Sequence, residues 1–192
     1  MARIENALFY NRAFLRSDAL YLRLLTTQDI TEVYLEWLND AETNEYTSRY
    51  RFPLDLSNIG EYIKDSINEK RMVFAICLFG NKDIHIGNIV LQEIDWINRS
   101  AELAIIIGDK RYKGKGYGSD ACRLLVAHAF NRLNLHRIWL GTPEKNLPMI
   151  KTATKLGMEL EGVFKDAFYC QEGYIKVNRY AIINKTKEVV NE

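Results

Sequence analysis

One stretch constrains this chain more than any other: Arg111-Tyr112-Lys113-Gly114-Lys115-Gly116-Tyr117-Gly118, set between an apolar run and an amphipathic one. The run before it, residues 101–108, is short and rich in Ile and reads as a buried strand. After it, Ala121, Leu124, Leu125, His128 and Ala129 recur at helical spacing and read as one face of a helix. Glycines at alternate positions let a backbone turn tightly and approach a ligand closely. At a helix N-terminus their N–H groups converge where the helix dipole favours an anion. Arg111, Lys113 and Lys115 add positive charge at the same place. A strand, a phosphate-cradling turn and a helix are therefore expected here.

Two common phosphate loops do not fit. A dinucleotide fingerprint needs a third glycine three residues after the second, where Ser119 stands. A Walker loop, G-x-x-x-x-G-K-[ST], occurs nowhere in the chain. The string [RQ]-x-x-G-x-[GA] does match, through Arg111, Gly114 and Gly116. It resembles the acetyl-coenzyme A signature of the GCN5-related N-acetyltransferases, the GNAT family. Taken alone, the same residues are equally a solvated glycine-rich turn.

Three further stretches are similar to the family at the right distances. Residues 20–29, LYLRLLTTQD, look like its opening strand and first helix start. His85-Ile86-Gly87-Asn88-Ile89 resembles its third-strand element. Asn146, followed by Lys155-Leu156-Gly157-Met158-Glu159-Leu160-Glu161-Gly162, resembles N-…-K-x-G-F-x-x-E-G with Met158 in place of Phe. The resemblance spans about residues 19–183, and the RimJ/RimL-type branch is the nearest subgroup. It implies a GNAT fold of the α/β (α+β) class, with about seven strands in a mixed, mostly antiparallel sheet and helices on both faces. The fourth and fifth strands would run parallel and splay apart to admit the pantetheine arm of coenzyme A.

Composition sets the outer limits. With 192 residues the chain reads as a single domain, 1–192, able to bury about 70 per cent of its unfolded surface. Hydrophobic residues at 47% and charged ones at 27% describe an ordinary globular composition. A formal net charge of +1 gives no reason to expect nucleic acid or an anionic membrane as partner. Cys77, Cys122 and Cys170 are odd in number and widely spaced, as expected of buried thiols in a reducing compartment. No leader-like or membrane-spanning run is present, so a cytoplasmic location is expected. His85, His128 and His136 are scattered, and no spacing suggests a metal site. Oligomeric state is open, a homodimer being one option.

Strand patterns occupy 20–25, 72–79, 85–95, 101–108, 137–142, 161–169 and 175–183, and helical ones 29–39, 57–68, 118–134 and 146–156. Residues 80–83 and 97–100 read as hairpin turns. The order implies an antiparallel meander followed by a right-handed strand–helix–strand crossover.

The resemblance also assigns a site. Acetyl-CoA would be held by the main chain of Ile105, Ile106 and Ile107, by Arg111, Tyr112, Lys113, Gly114, Lys115, Gly116, Tyr117, Gly118 and Ser119, and by Asn146. The acceptor is expected to be a small-molecule amine, which attacks a thioester only as free base. A lysine-like amine of pKa about 10.4 is neutral in about one molecule in a few thousand at pH 7, so a proton acceptor is needed. Glu102, acidic within an apolar strand, is the first candidate, although its position equally suits an outward-facing carboxylate paired with a cation. Asp95, beside Trp96, is the second. Tyr46, Arg49 and Arg51, with Trp96, are expected to line the acceptor side, where two arginines could clamp a diphosphate or simply sit hydrated on a loop.

The chain departs from the family at the general acid. Many members carry a Tyr seven residues after the motif Asn, and here that position is Ala153. Tyr112, Tyr169 or solvent would then protonate the leaving thiolate. An amine on a sugar ring is less basic than lysine and asks less of such groups. The expected activity is therefore N-acetyl transfer to a primary amine, with a nucleotide-linked amino sugar of surface-polysaccharide synthesis as one acceptor class. A protein N-terminus, or acyl-CoA binding without catalysis, are the alternatives.

Overall fold

The computed structural model describes residues 13–47, 51–80 and 84–185. In chain order these form β1 (Leu15–Arg16), β2 (Leu20–Leu24), α1 (Glu32–Asn39), α2 (Leu56–Lys64), β3 (Ile67–Asn68), β4 (Arg71–Leu78), β5 (Ile84–Asp95) and β6 (Ser100–Ile107). There follow α3 (Tyr117–Asn131), β7 (Arg137–Pro143), α4 (Leu147–Lys155), β8 (Glu159–Cys170) and β9 (Gly173–Ile183). The strands make one open sheet in the order β1-β2-β4-β5-β6-β7-β9-β8, with β3 appended to β4.

Alternation along the central strands explains why both faces of that sheet are covered. In β2, Leu20 and Leu22 join one core while Tyr21 joins another; in β4, Phe74, Ile76 and Leu78 divide from Val73, Ala75 and Cys77 in the same way. Period-two side chains that are apolar on both sides need a layer on each face. α3 supplies the first layer through Ala121, Cys122, Leu125, Val126 and Ala129. α1 and α2 supply the second through Tyr34, Leu38, Ile59 and Ile63. Cys122 is fully buried, which pushes its thiol up to about 12.

Seven strands match the sequence patterns closely, and the differences have local causes. β1 and β3 are two residues each, too short to show a period. The helix expected over 57–68 ends at Lys64, and Ile67 and Asn68 turn back to pair with Met72 and Arg71. The helix expected from residue 29 begins at Glu32, because Asp29 closes a short 3-10 turn and Thr31 then caps α1 through Tyr34 N–H. The hairpin expected at 80–83 falls mostly outside the described residues, at 81–83.

The feature that positions the site is the pairing of β6 with β7, the parallel pair of an otherwise antiparallel sheet. Their register covers three positions, Ser100 with Arg137, Ala101 with Ile138 and Glu102 with Trp139. Beyond these, β6 follows β5 as far as Ile107 paired with Gly87, and β7 follows β9 as far as Pro143 paired with Val177. The two strands separate into an open cleft whose root is Glu102 and Trp139.

A buried ion pair pins the other side of the sheet. Asp29, 6% exposed, accepts from both Nη groups of Arg23 at 2.8 Å and from Thr26 N–H at 2.7 Å. Burial alone would raise the Asp29 pKa, but the Arg23 and Thr26 hydrogen bonds and the Arg23 charge outweigh it and hold the carboxyl below its ordinary value. The pair's stabilisation is thus present above the unfolded value of 3.8 and is lost as pH falls below it toward the folded pKa. Asp29→Asn leaves the guanidinium buried without its counter-charge and is expected to cost about 3–5 kcal/mol at pH 7. Urea midpoints measured from pH 7 down to pH 2 should fall less steeply below pH 4 in the variant; equal slopes would show that the pair is not what acid breaks.

Candidate active site

The Arg111–Ser119 loop lies at the mouth of the β6–β7 cleft, between the end of β6 and the start of α3. Gly114 and Gly116 adopt φ of +74° and +91°, left-handed conformations that L side chains rarely take. At both positions the space a Cβ would enter holds no atom within 4 Å, so the backbone is open to a ligand. Gly116 is the N-cap of α3 and offers no capping side chain. The first N–H groups of a helix that starts this way need an outside acceptor. The start of α3 packs on the end of β6: a Cβ on Gly118 would stand at ordinary contact distance, 3.6 Å from Ile105 Cδ1 and 3.8 Å from Ile107 Cγ1.

The basic side chains of the loop are largely engaged. Arg111 binds the buried Asp109 through Nε at 3.0 Å and Nη2 at 2.6 Å. Lys113 donates to Thr43 Oγ1 at 3.1 Å, and neighbouring Lys110 bridges Asp40 at 3.1 Å and Glu42 at 2.6 Å. Lys115, exposed, lies 5.5 Å from the Tyr112 ring centroid. Main-chain N–H groups, more than cations, are therefore what the loop leaves available to an anion. Ser119 Oγ and Thr152 Oγ1, 3.1 Å apart, tie α3 to α4. Asn146 caps α4, its Oδ1 accepting from Met149 N–H at 3.3 Å. Ala153 is fully buried in the core.

Two glycines fix the end of β6. A Cβ on Gly87 would fall 2.2 Å from Ile106 O and 2.9 Å from Ile107 Cα, so only glycine lets β5 approach there. A Cβ on Gly108 would strike the Trp37 ring at 2.3 Å. Trp37 in turn meets His85 edge-on, and His85 Nε2 lies 2.9 Å from Gly87 O and 2.8 Å from Asn88 Oδ1. Two acceptors at Nε2 place the ring proton there, and burial lowers the His85 pKa.

On the α1–α2 face of the sheet, the root of the cleft carries the polar groups. Glu102 pairs across the ladder with Gln92, whose Nε2 donates to Glu102 Oε2 at 2.6 Å. Trp139 stands beside Glu102 on β7, and the Arg179 guanidinium stacks 3.8 Å over its ring. Gln92, Trp139 and Arg179 are absent from the residues expected from the sequence. They lie on three different strands, and only the register brings them to the face of Glu102.

The remaining expected residues are dispersed. Asp95 sits at the hairpin end of β5, where its carboxylate accepts from Asn98 N–H, Asn98 Nδ2 and Ile97 N–H; those bonds hold its pKa below the usual value and make it a poor proton acceptor. The Trp96 indole donates to Glu69 O at 2.8 Å. Arg51 donates through Nη2 to the Tyr169 carbonyl and lies 4.9 Å from the Phe168 centroid, against the β8–β9 hairpin. Tyr46, on the loop after α1, has its hydroxyl pKa raised by burial and by Glu45. Arg49 lies outside the described residues.

Comparison with known proteins fits this geometry. The Acetyltransferase (GNAT) domain family matches residues 19–159. The chain belongs to the GNAT family. It is 29% identical over 172 residues to the spermidine N(1)-acetyltransferase of Escherichia coli K12, covering 86% of this chain and 87% of that one. It is 30% identical over 102 residues to the ribosomal-protein-serine acetyltransferase of the same organism, covering 53% and 56%. A crystal structure of spermidine N-acetyltransferase from Vibrio cholerae, in complex with CoA and spermine, superposes with a TM-score of 0.76 at 26% identity, covering 87% of this chain and 96% of that one. This GNAT chain is an acetyl-CoA-dependent N-acetyltransferase. No described helix is long and apolar enough to cross a membrane.

The loop geometry gives a direct test. Gly116→Val should weaken coenzyme A binding in calorimetry by at least about tenfold, since a branched side chain strains the left-handed turn and obstructs its open face. A thermal melt of the same sample checks that the fold persists. Unchanged affinity in a folded variant would remove this loop from the cofactor site.

Proposed function

We propose that this acetyltransferase acts on the primary amine of a small molecule, with an amino sugar carried on a nucleotide as the acceptor class that suits its residues best. The observation that carries the proposal is the placement of Glu102 at the root of the β6–β7 cleft, on the face opposite α3 and its anion-binding start. Bound acetyl-CoA supplies an electrophilic thioester carbonyl. The pyrophosphate would rest on the N–H groups from Gly114 to Ser119, and Ile106 or Ile107 N–H would face the carbonyl oxygen. Fixed donors of this kind favour the charge that grows there without reorganising. Glu102, aimed by Gln92, would take the amine proton directly or through water.

The leaving group receives less help. Ala153 cannot donate a proton, so Tyr112, Tyr169 or solvent would have to. Such machinery suits a weakly basic amine better than a polyamine, which supports the amino-sugar reading. The similarity over 86% of the chain to a spermidine acetyltransferase supports a polyamine acceptor as the second reading. Thiol release measured with a UDP-linked amino sugar and with spermidine separates them, the first being the faster substrate under this proposal.

The proton-acceptor role has its own signature. Glu102→Gln should lower turnover at pH 7 by about one hundredfold or more, while acetyl-CoA affinity is kept. Raising the pH should restore much of the loss, because the amine then arrives neutral. Wild-type turnover at every pH would sink the assignment. A deficit that does not change with pH would mean that Glu102 positions the acceptor and does not deprotonate it.

A further inference from the structure

Among the described residues, Arg179 is a cation on the same face as the proposed proton acceptor that no ion pair consumes. It lies on β9 in register with Gly141 of β7 on one side and Gly162 of β8 on the other, so neither ladder partner sets a side chain beside it. The side chain crosses diagonally to Trp139, and its guanidinium carbon stands 3.8 Å over that ring. Trp139 is the ladder neighbour of Glu102, about one strand spacing of 4.8 Å away. Among the described residues Arg179 makes no salt bridge and no hydrogen bond through its side chain, and its Nε is buried without a partner. The carboxylate that feels its charge, Glu161, is already held by both Nη groups of Arg137, one at 2.7 Å.

A guanidinium stacked on an indole keeps its N–H edges in the plane of the stack, free to meet a planar or tetrahedral oxyanion side-on. Partial removal from water strengthens its field over a short range. A second positive charge on an acceptor held at Glu102 would therefore be repelled, and a negative one attracted. Like-charge contact of this kind is a means of rejecting wrong partners as well as choosing right ones.

From this arrangement we infer that Arg179, held on Trp139, is a specificity-determining residue that reads an anionic group, phosphate or carboxylate, on the amine acceptor. The inference rests on the acetyl-transfer reading above and adds the charge of the substrate to it. It selects against polycations and for amines that carry an oxyanion within reach of the Trp139 stack.

The test uses four amines with the full chain: D-glucosamine, D-glucosamine 6-phosphate, D-glucosaminic acid and spermidine, followed by thiol release from acetyl-CoA. Wild type should show a kcat/KM at least about tenfold higher for an anionic acceptor than for glucosamine, with spermidine poorest. The phosphate and carboxylate arms tell which oxyanion is read. In Arg179→Gln that preference should fall to about one, through a raised KM for the anionic acceptor and an unchanged KM for acetyl-CoA. Arg179→Lys, which keeps the charge, should retain most of the preference. A packing role alone would not make Lys and Gln differ with acceptor charge. A preference near one in wild type, or one preserved in Arg179→Gln, overturns the inference while leaving acetyl transfer intact. No thiol release with any amine would instead defeat the acetyl-transfer reading and this inference with it.

Discussion

The structure depends on a parallel pairing that stops after three residues. β6 and β7 are each held along their full length by an outer neighbour, β5 and β9, and meet one another only from Ser100 to Glu102 and Arg137 to Trp139. Strands twist relative to their neighbours, so two half-sheets anchored on opposite sides diverge once their shared ladder ends. Beyond that point the main-chain groups of β6 that face away from β5 have no strand to bond. An unpaired edge within a sheet is costly unless something else satisfies it. A ligand with its own amides and a carbonyl, such as the pantetheine arm and thioester of acetyl-CoA, is chemically suited to lie there.

Close packing keeps the cleft in its open shape. Gly87 brings β5 against Ile106, and Gly108 receives the Trp37 ring. At both points an added methyl group would overlap the strand or its support, at 2.2 and 2.3 Å. Protein interiors transmit such displacements because they contain little free space. The buried network of His85, Asn88 and Tyr34 adds polar anchoring behind the same strand end, with Asn88 Nδ2 donating to the Tyr34 hydroxyl. In the proposed reading, cofactor geometry is set by backbone approach, whereas acceptor chemistry is set by side chains on the opposite face.

That division also explains what could be read from the sequence. The glycine loop, the flanking strand and helix, and the alternation in β2 and β4 are local patterns, and the structure reproduces them. Glu102 stood out for the same reason, as a charge within an apolar strand. Its companions were not legible, because Gln92 meets it across a hairpin with a bulge between Gln92 and Asp95, and Trp139 meets it only through the crossover that joins β6 to β7. Asp95 looked similar to Glu102 in sequence, yet one turn places its carboxylate against the Ile97 and Asn98 amides. Arg51 looked like an anion clamp and instead braces the β8–β9 hairpin. Register and turn hydrogen bonds are long-range or conformational facts, and composition does not carry them.

In the proposed reading one cleft, from the Gly114–Ser119 amides to the Ile105–Ile107 strand end, binds the cofactor. Backbone amide shifts recorded by 15N NMR during a titration with coenzyme A test it most directly. The largest changes are expected at Gly114, Gly116, Tyr117, Gly118 and Ser119 and at Ile105, Ile106 and Ile107, with little change at Asn68, Lys70 and Arg71. Changes concentrated elsewhere, with the β6 strand end silent at saturation, would contradict it.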